Sequence, residues 1–98
     1  MALAEISVIP LGTPTASIGD WIAQAIRVLD KEGMKYEISP MGTLIEAEIS
    51  DVFRVASKMH KSVFGKGITR VVTTVTIDDR RDKSVTMKSK VASVKKRL

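Results

Sequence analysis

Glu46, His60 and the run Asp78-Asp79-Arg80-Arg81-Asp82-Lys83 are the residues whose types and spacing invite chemistry. His60 is the one histidine, and there is no cysteine. Disulfides and thiolate metal sites are therefore excluded, and a zinc site would need mostly carboxylates. His60 stands eight residues after Val52 on the apolar side of a helical pattern, where it reads as a boundary core histidine. The charged run offers two guanidinium forks to an anion beside carboxylates for a cation or amine. Asp78, Arg80 and Arg81 are accordingly candidates for anion contacts or for salt bridges between subunits. No nucleophile–base pair, no GxGxxG and no P-loop is present. The expectation is a binding protein, not an enzyme, with no metal and no cofactor.

The elements that must position these residues follow from periodicity. Residues 3–11 are rich in Ile and Val and alternate as a strand, ended by Pro10 and Gly12. Ser17 is placed to cap a helix, with Asp20 in a capping-box-like position. Ile18, Trp21, Ile22, Ala25, Ile26 and Leu29 form its apolar stripe, and Gly33 stops it. Residues 34–39 and 43–48 alternate about a Pro40-Met41-Gly42 turn and predict a hairpin. Ser50 is placed to cap a second helix, whose buried face is Val52, Val55, Ala56, Met59 and Val63. Residues 69–77, TRVVTTVTI, predict a strand rich in β-branched residues. A last helix is expected over 84–98, with Met87, Val91, Val94 and Leu98 on one side, docked on a partner subunit or on the edge of its own sheet.

This order predicts a ferredoxin-like βαββαβ fold of the α+β class. It has a four-stranded antiparallel sheet, two helices on one face and an extra C-terminal helix. A chain of 98 residues makes one domain, spanning 1–98. At 44% hydrophobic and 28% charged, it is too apolar for disorder. The start, MALAEISVIPLG, lacks a basic n-region and does not read as a signal peptide, and no run of 18 apolar residues exists. A cytoplasmic location with no membrane partner is expected. The net charge of +5 gathers after Asp82, in Lys83, Lys88, Lys90, Lys95, Lys96 and Arg97, and reads as a solvated helix face. Of the aromatics Trp21, Tyr36, Phe53 and Phe64, three fall on helices. The sheet therefore lacks the stacking platform of an RNA-recognition motif, and no nucleic-acid partner is expected.

Such a fold leaves one sheet face open. Val72, Thr74, Thr76 and Asp78 share a side of the last strand, Glu5, Ser7, Ile9 and Leu11 a side of the first, and Leu44, Glu46 and Glu48 a side of the third. Ile9, Leu11, Leu44 and Val72 are too much hydrocarbon for a comfortable wet surface. The face either packs on another subunit or lines a small-molecule cleft, or does both.

Four segments in order resemble the small single-domain members of the YkoF-like thiamine-binding family: Ile6-Ser7-Val8-Ile9-Pro10-Leu11-Gly12-Thr13, Met34-Lys35-Tyr36-Glu37, Met41-Gly42-Thr43-Leu44-Ile45-Glu46, and Ile77 through Lys83. The resemblance covers nearly the whole chain. It implies a ferredoxin-like fold, sheet-to-sheet homodimers often paired into homotetramers, and no catalytic activity. It also implies binding of thiamine or its hydroxymethylpyrimidine moiety, as carrier or sensor. On that reading Glu46 accepts from the exocyclic amine or offsets the thiazolium charge, unless it pairs instead with a lysine. Ser7, Thr43 and Thr74 supply hydroxyls, and Ile9, Leu11 and Leu44 pack on the rings. The alternatives are a regulatory module resembling ACT domains, with an amino acid at a subunit interface, and a ligand-free structural oligomer.

Overall fold

Alternating residues in Ala2–Leu11 make the first strand, β1, with Ala2, Ala4, Ile6, Val8 and Pro10 buried on one side. The computed structural model describes all 98 residues, Met1 to Leu98. After β1 come α1 (Gly19–Lys31), β2 (Tyr36–Ser39), β3 (Gly42–Ala47), α2 (Ile49–Ser62), β4 (Arg70–Asp78) and α3 (Met87–Lys95). The strands lie in the order β2-β3-β1-β4, every neighbouring pair antiparallel. This is the expected ferredoxin-like α+β fold with an added C-terminal helix.

One core lies between the sheet and the first two helices. Ile6, Ile45, Leu29, Val52, Val55, Met59 and Val63 are its fully buried large side chains. The predicted stripe of α2 is buried throughout; that of α1 is buried at Ala25, Ile26 and Leu29, with Trp21 packed at the margin. A fully buried aliphatic side chain is worth about 1.5–3 kcal/mol over an exposed one, so this layer dominates stability. Gly33 ends α1 with φ +65°, the left-handed conformation that a glycine adopts without strain. His60 lies between α2 and β4, with Nδ1 2.6 Å from the Thr73 hydroxyl and its ring edge-on to Phe64.

The helix starts differ from the expectation. Ile18, not Ser17, occupies the N-cap of α1 and offers no side-chain cap. The turn before it has its own bonding: the Thr15 hydroxyl donates to the Ser17 carbonyl and accepts from the Ser17 N–H, at 2.9 and 3.1 Å. Ser50 is not a cap either. The chain passes from β3 into α2 at once, with Glu48 at the N-cap and Ser50 already inside the first turn.

Two departures shape the candidate site. The β1–β3 ladder ends at Ile6 opposite Thr43, whereas the β1–β4 ladder runs on to Leu11 opposite Arg70. From Ser7 onward β1 therefore has a neighbour on one side only, because Pro40 and Met41 turn the chain back into β2. Pro10 falls within this one-sided stretch instead of ending the strand, as prolines on strand edges do. The second departure is α3. It is shorter than predicted, begins with a Thr86–Ser89 capping box, and places its first turn over one end of the open face. Val91, Val94 and Leu98 stay exposed, the last at 99%. The helix thus rests on the face of its own sheet, not the edge, and only by its beginning.

Candidate functional site

The open face is laid out in rows across the strands. Glu46, Leu3 and Asp78 form one end. Glu37, Leu44, Glu5 and Thr76 follow, then Ser39 with Gly42 and, across the gap where the β1–β3 ladder has ended, Ser7 with Thr74. Ile9 with Val72 and Leu11 with Arg70 close the far end. The expected sides of β1, β3 and β4 are those observed.

Glu46 is already engaged. Its Oε1 accepts the Met87 backbone N–H at 2.5 Å, at the start of α3. Its partner within the chain is this amide and not a lysine. The carboxylate serves a helix N-terminus, whose free N–H groups and dipole favour a negative charge. Beside it, Lys90 on α3 bridges Asp78 at the end of β4. The two contacts fasten the first turn of α3 to the sheet. A trough of about 1050 Å³ between α3 and the β2 edge contains Glu46 and Met87 but leaves the carboxylate committed to that amide.

The charged loop is paired within itself. Arg80 Nε lies 2.6 Å from Asp82, and Arg81 lies 2.9 Å from Asp79. The Arg80 guanidinium holds Asp82 below the usual carboxylate range, and Arg81 does the same for Asp79. The Arg80 fork is thus taken up by Asp82, Arg81 gives one of its donors to Asp79, and Asp78 is held by Lys90. No three His, Asp or Glu side chains gather where they could hold a metal ion. No helix is long and apolar enough to cross a membrane.

Thr43 lies apart from its sequence neighbours Leu44 and Glu46. It faces the helices, opposite Ile6, and is the one buried polar residue of the molecule, 4% exposed. Alternation along β3 requires this, since adjacent side chains point to opposite faces. Its hydroxyl makes no hydrogen bond within the chain, yet no sealed side-chain polar atom lacks a partner. Oγ1 therefore opens onto space. That space is a cavity of about 100 Å³ beside the one-sided stretch of β1. Its walls are Ile22 and Ile26 from α1, Ile38 and Met41 from the hairpin, and Met59 from α2, with Ser7, Ile9 and Gly42 at the sheet. The Ser39 hydroxyl donates to the Gly42 carbonyl at 2.8 Å and fixes the turn.

Of the seven residues proposed for a ligand, the cavity gathers Ser7, Ile9 and Thr43. Leu44 lines a separate groove on the open face, Glu46 is taken by α3, and Thr74 and Leu11 are exposed. Sequence reasoning missed the apolar wall given by Ile22, Ile26 and Ile38. It also missed Glu5, half-buried in the row of Leu44 and Thr76. The signal for Glu5 was its place on the predicted open side of β1.

The cavity offers a buried hydroxyl, strand backbone with no partner strand and an aliphatic lining. It can hold one flat ring carrying a donor and an acceptor on its edge. The chain belongs to the thiamine-binding protein family, whose model matches residues 4–95. It is 46% identical over 102 residues to the UPF0045 protein YqgV of Bacillus subtilis, covering all of this chain and 98% of that one. A UPF0045 protein of Methanothermobacter thermautotrophicus is 43% identical, with all of both chains covered. Among solved structures, protein MJ1052 of Methanocaldococcus jannaschii superposes with a TM-score of 0.87 at 33% identity, covering 96% of this chain and 95% of that one.

Proposed function

We propose that this protein binds thiamine or its hydroxymethylpyrimidine moiety in the hairpin cavity and acts as a non-catalytic carrier or sensor. Membership of the family supports the ligand class. The observation that carries the placement is Thr43, a buried residue whose hydroxyl has no partner in the chain and opens onto an apolar cavity. A hydroxyl that is open to the cavity and has no partner in the chain is free to hydrogen-bond a ligand there. The aminopyrimidine ring has a donor–acceptor edge, and the strand edge of β1 past Ile6 alternates donors and acceptors to meet it. The cavity, at about 100 Å³, is smaller than the roughly 150 Å³ that takes up benzene, so a substituted ring bound there extends out through its open side.

The working unit on this reading is a homodimer formed through the part of the sheet face beyond α3. Val72, at 45% exposure, and Leu11, at 36%, lie there beside Ile9 and give a second copy an apolar surface to cover. A self-complementary patch of this kind closes under twofold symmetry.

Titration calorimetry with thiamine and with hydroxymethylpyrimidine tests the placement. Thr43→Val keeps the shape and removes the hydroxyl. It is expected to weaken both ligands by about 0.5–1.5 kcal/mol, roughly 2- to 12-fold, with thermal stability kept. Unchanged affinity for both would move the site elsewhere.

A further inference from the structure

Glu5 is a carboxylate with nothing to pair with. It stands half-buried at the centre of the open face between Leu44 on β3 and Thr76 on β4. It takes part in none of the six salt bridges. The one lysine on the groove wall, Lys90, is bound to Asp78. A carboxylate so placed, with no cation beside it in the chain, is available to a cation that reaches the face.

The position of the side chain shows where that cation would come from. A Cβ added to Gly42 would lie 2.8 Å from Glu5 Cγ and 3.2 Å from Cδ. The Glu5 side chain therefore folds over Gly42, and only a residue without a side chain leaves room for it. Gly42 is also part of the wall of the hairpin cavity. On its other side Glu5 borders a groove of about 240 Å³, walled by Leu3, Leu44, Thr76, Met87 and Val91. The carboxylate thus stands between two separate spaces, the small cavity whose wall includes Gly42 and an apolar groove on the open sheet face.

We infer that Glu5 is a specificity-determining residue, which selects ligands carrying a fixed positive charge next to the ring held in the cavity. The inference rests on the cavity reading above and adds a second contact to it. A ligand of two joined rings places its neutral ring against Thr43. Its cationic ring passes Gly42 onto the open face, where the Glu5 carboxylate offsets the charge and Leu44 and Met87 pack on the ring. A neutral single-ring ligand gains nothing from Glu5. An anionic ester on the outer ring brings a like charge toward Glu5 and partly cancels the gain.

The test compares wild type, Glu5→Gln and Glu5→Asp by titration calorimetry against thiamine, uncharged hydroxymethylpyrimidine and thiamine monophosphate. Wild type is expected to prefer thiamine. Glu5→Gln should lose about tenfold in thiamine affinity, the scale of one charge-assisted contact, and leave the uncharged ring unchanged. Glu5→Asp, which keeps the charge, should retain part of the preference, and Glu5→Gln should narrow the gap between thiamine and its phosphate. Raised salt should weaken thiamine binding in wild type more than in Glu5→Gln. Equal losses for charged and uncharged ligands, or no loss for either, would overturn the role of Glu5 while leaving the cavity intact. If wild type bound neither ligand, the cavity reading would fail and this inference with it; Thr43→Val separates the cases, since it acts on both ligands alike.

Discussion

Helix α2 turns Val52, Val55, Ala56 and Met59 to one side and buries all four; α3 carries Met87, Val91 and Val94 at similar spacing and buries none. The difference lies in what each helix meets. Below α2 the sheet presents Ala4, Ile6, Ile45 and Ala47, alternate apolar residues, with the Thr73 hydroxyl bonded to His60 and the Thr43 hydroxyl as its polar groups. Below α3 it presents Leu3 and Leu44 among Glu5, Glu46, Thr76 and Asp78. An apolar surface takes up any apolar stripe and rewards it by area. A polar surface holds a helix at specific points, here the Glu46 carboxylate on the Met87 amide and Lys90 on Asp78. Spacing makes a helix capable of docking, and the opposing surface decides how.

The largest effect that would break this comparison lies in the core. Leu29→Ala removes a fully buried side chain and is expected to cost about 2–5 kcal/mol in chemical unfolding. A cost below 1 kcal/mol would mean that the helix layer is far looser than its burial implies. The next effect is on α3. Glu46→Ala leaves the first turn without its carboxylate and should cost about 0.5–2 kcal/mol, the range for losing a helix cap. In hydrogen exchange the amides of α3 should lose protection while those of α2 keep theirs. Equal loss in both helices would show that α3 is coupled to the core after all.

The smallest effect is electrostatic and belongs to the α1–α2 layer. Lys58 first, and then Arg54, hold the Glu32 carboxyl below the ordinary glutamate range. A depressed folded pKa stabilises the fold above the unfolded value, about 4.3, and the stabilisation fades as pH falls through the lower folded value. Thermal scans should show this loss on the acid side of about pH 4.3, and Glu32→Gln should shrink it. The groups are solvated, so the change is small. An acid transition identical in the variant would assign it to other carboxylates.

What could be read from the sequence was set by local rules. Alternation found four strands and their faces, and the 3.6-residue period found the two core helices, because burial imposes both patterns residue by residue. The caps failed at Ser17 and Ser50 because the flanking chain satisfied those positions in other ways: a threonine turn before α1 and an abrupt strand-to-helix passage before α2. The cavity was invisible for a different reason. It exists because β3 is shorter than β1, a relation between two strands about thirty residues apart. Glu46 was rightly placed on the open face, but its partner lies 41 residues further on. Thr43 was chosen for its hydroxyl; that this hydroxyl faces the helices follows from alternation, which separates it from Leu44 and Glu46.

The one-sided stretch of β1 has a consequence for how the protein behaves at high concentration. A strand with a neighbour on one side only is a template on which another chain can grow, the usual start of edge-to-edge aggregation. Here the exposed length is short, and Pro10 near its end can donate nothing to an incoming strand. The hairpin turn and α1 wall off the residues before it. The gap that makes room for a ring is thus also closed to a strand.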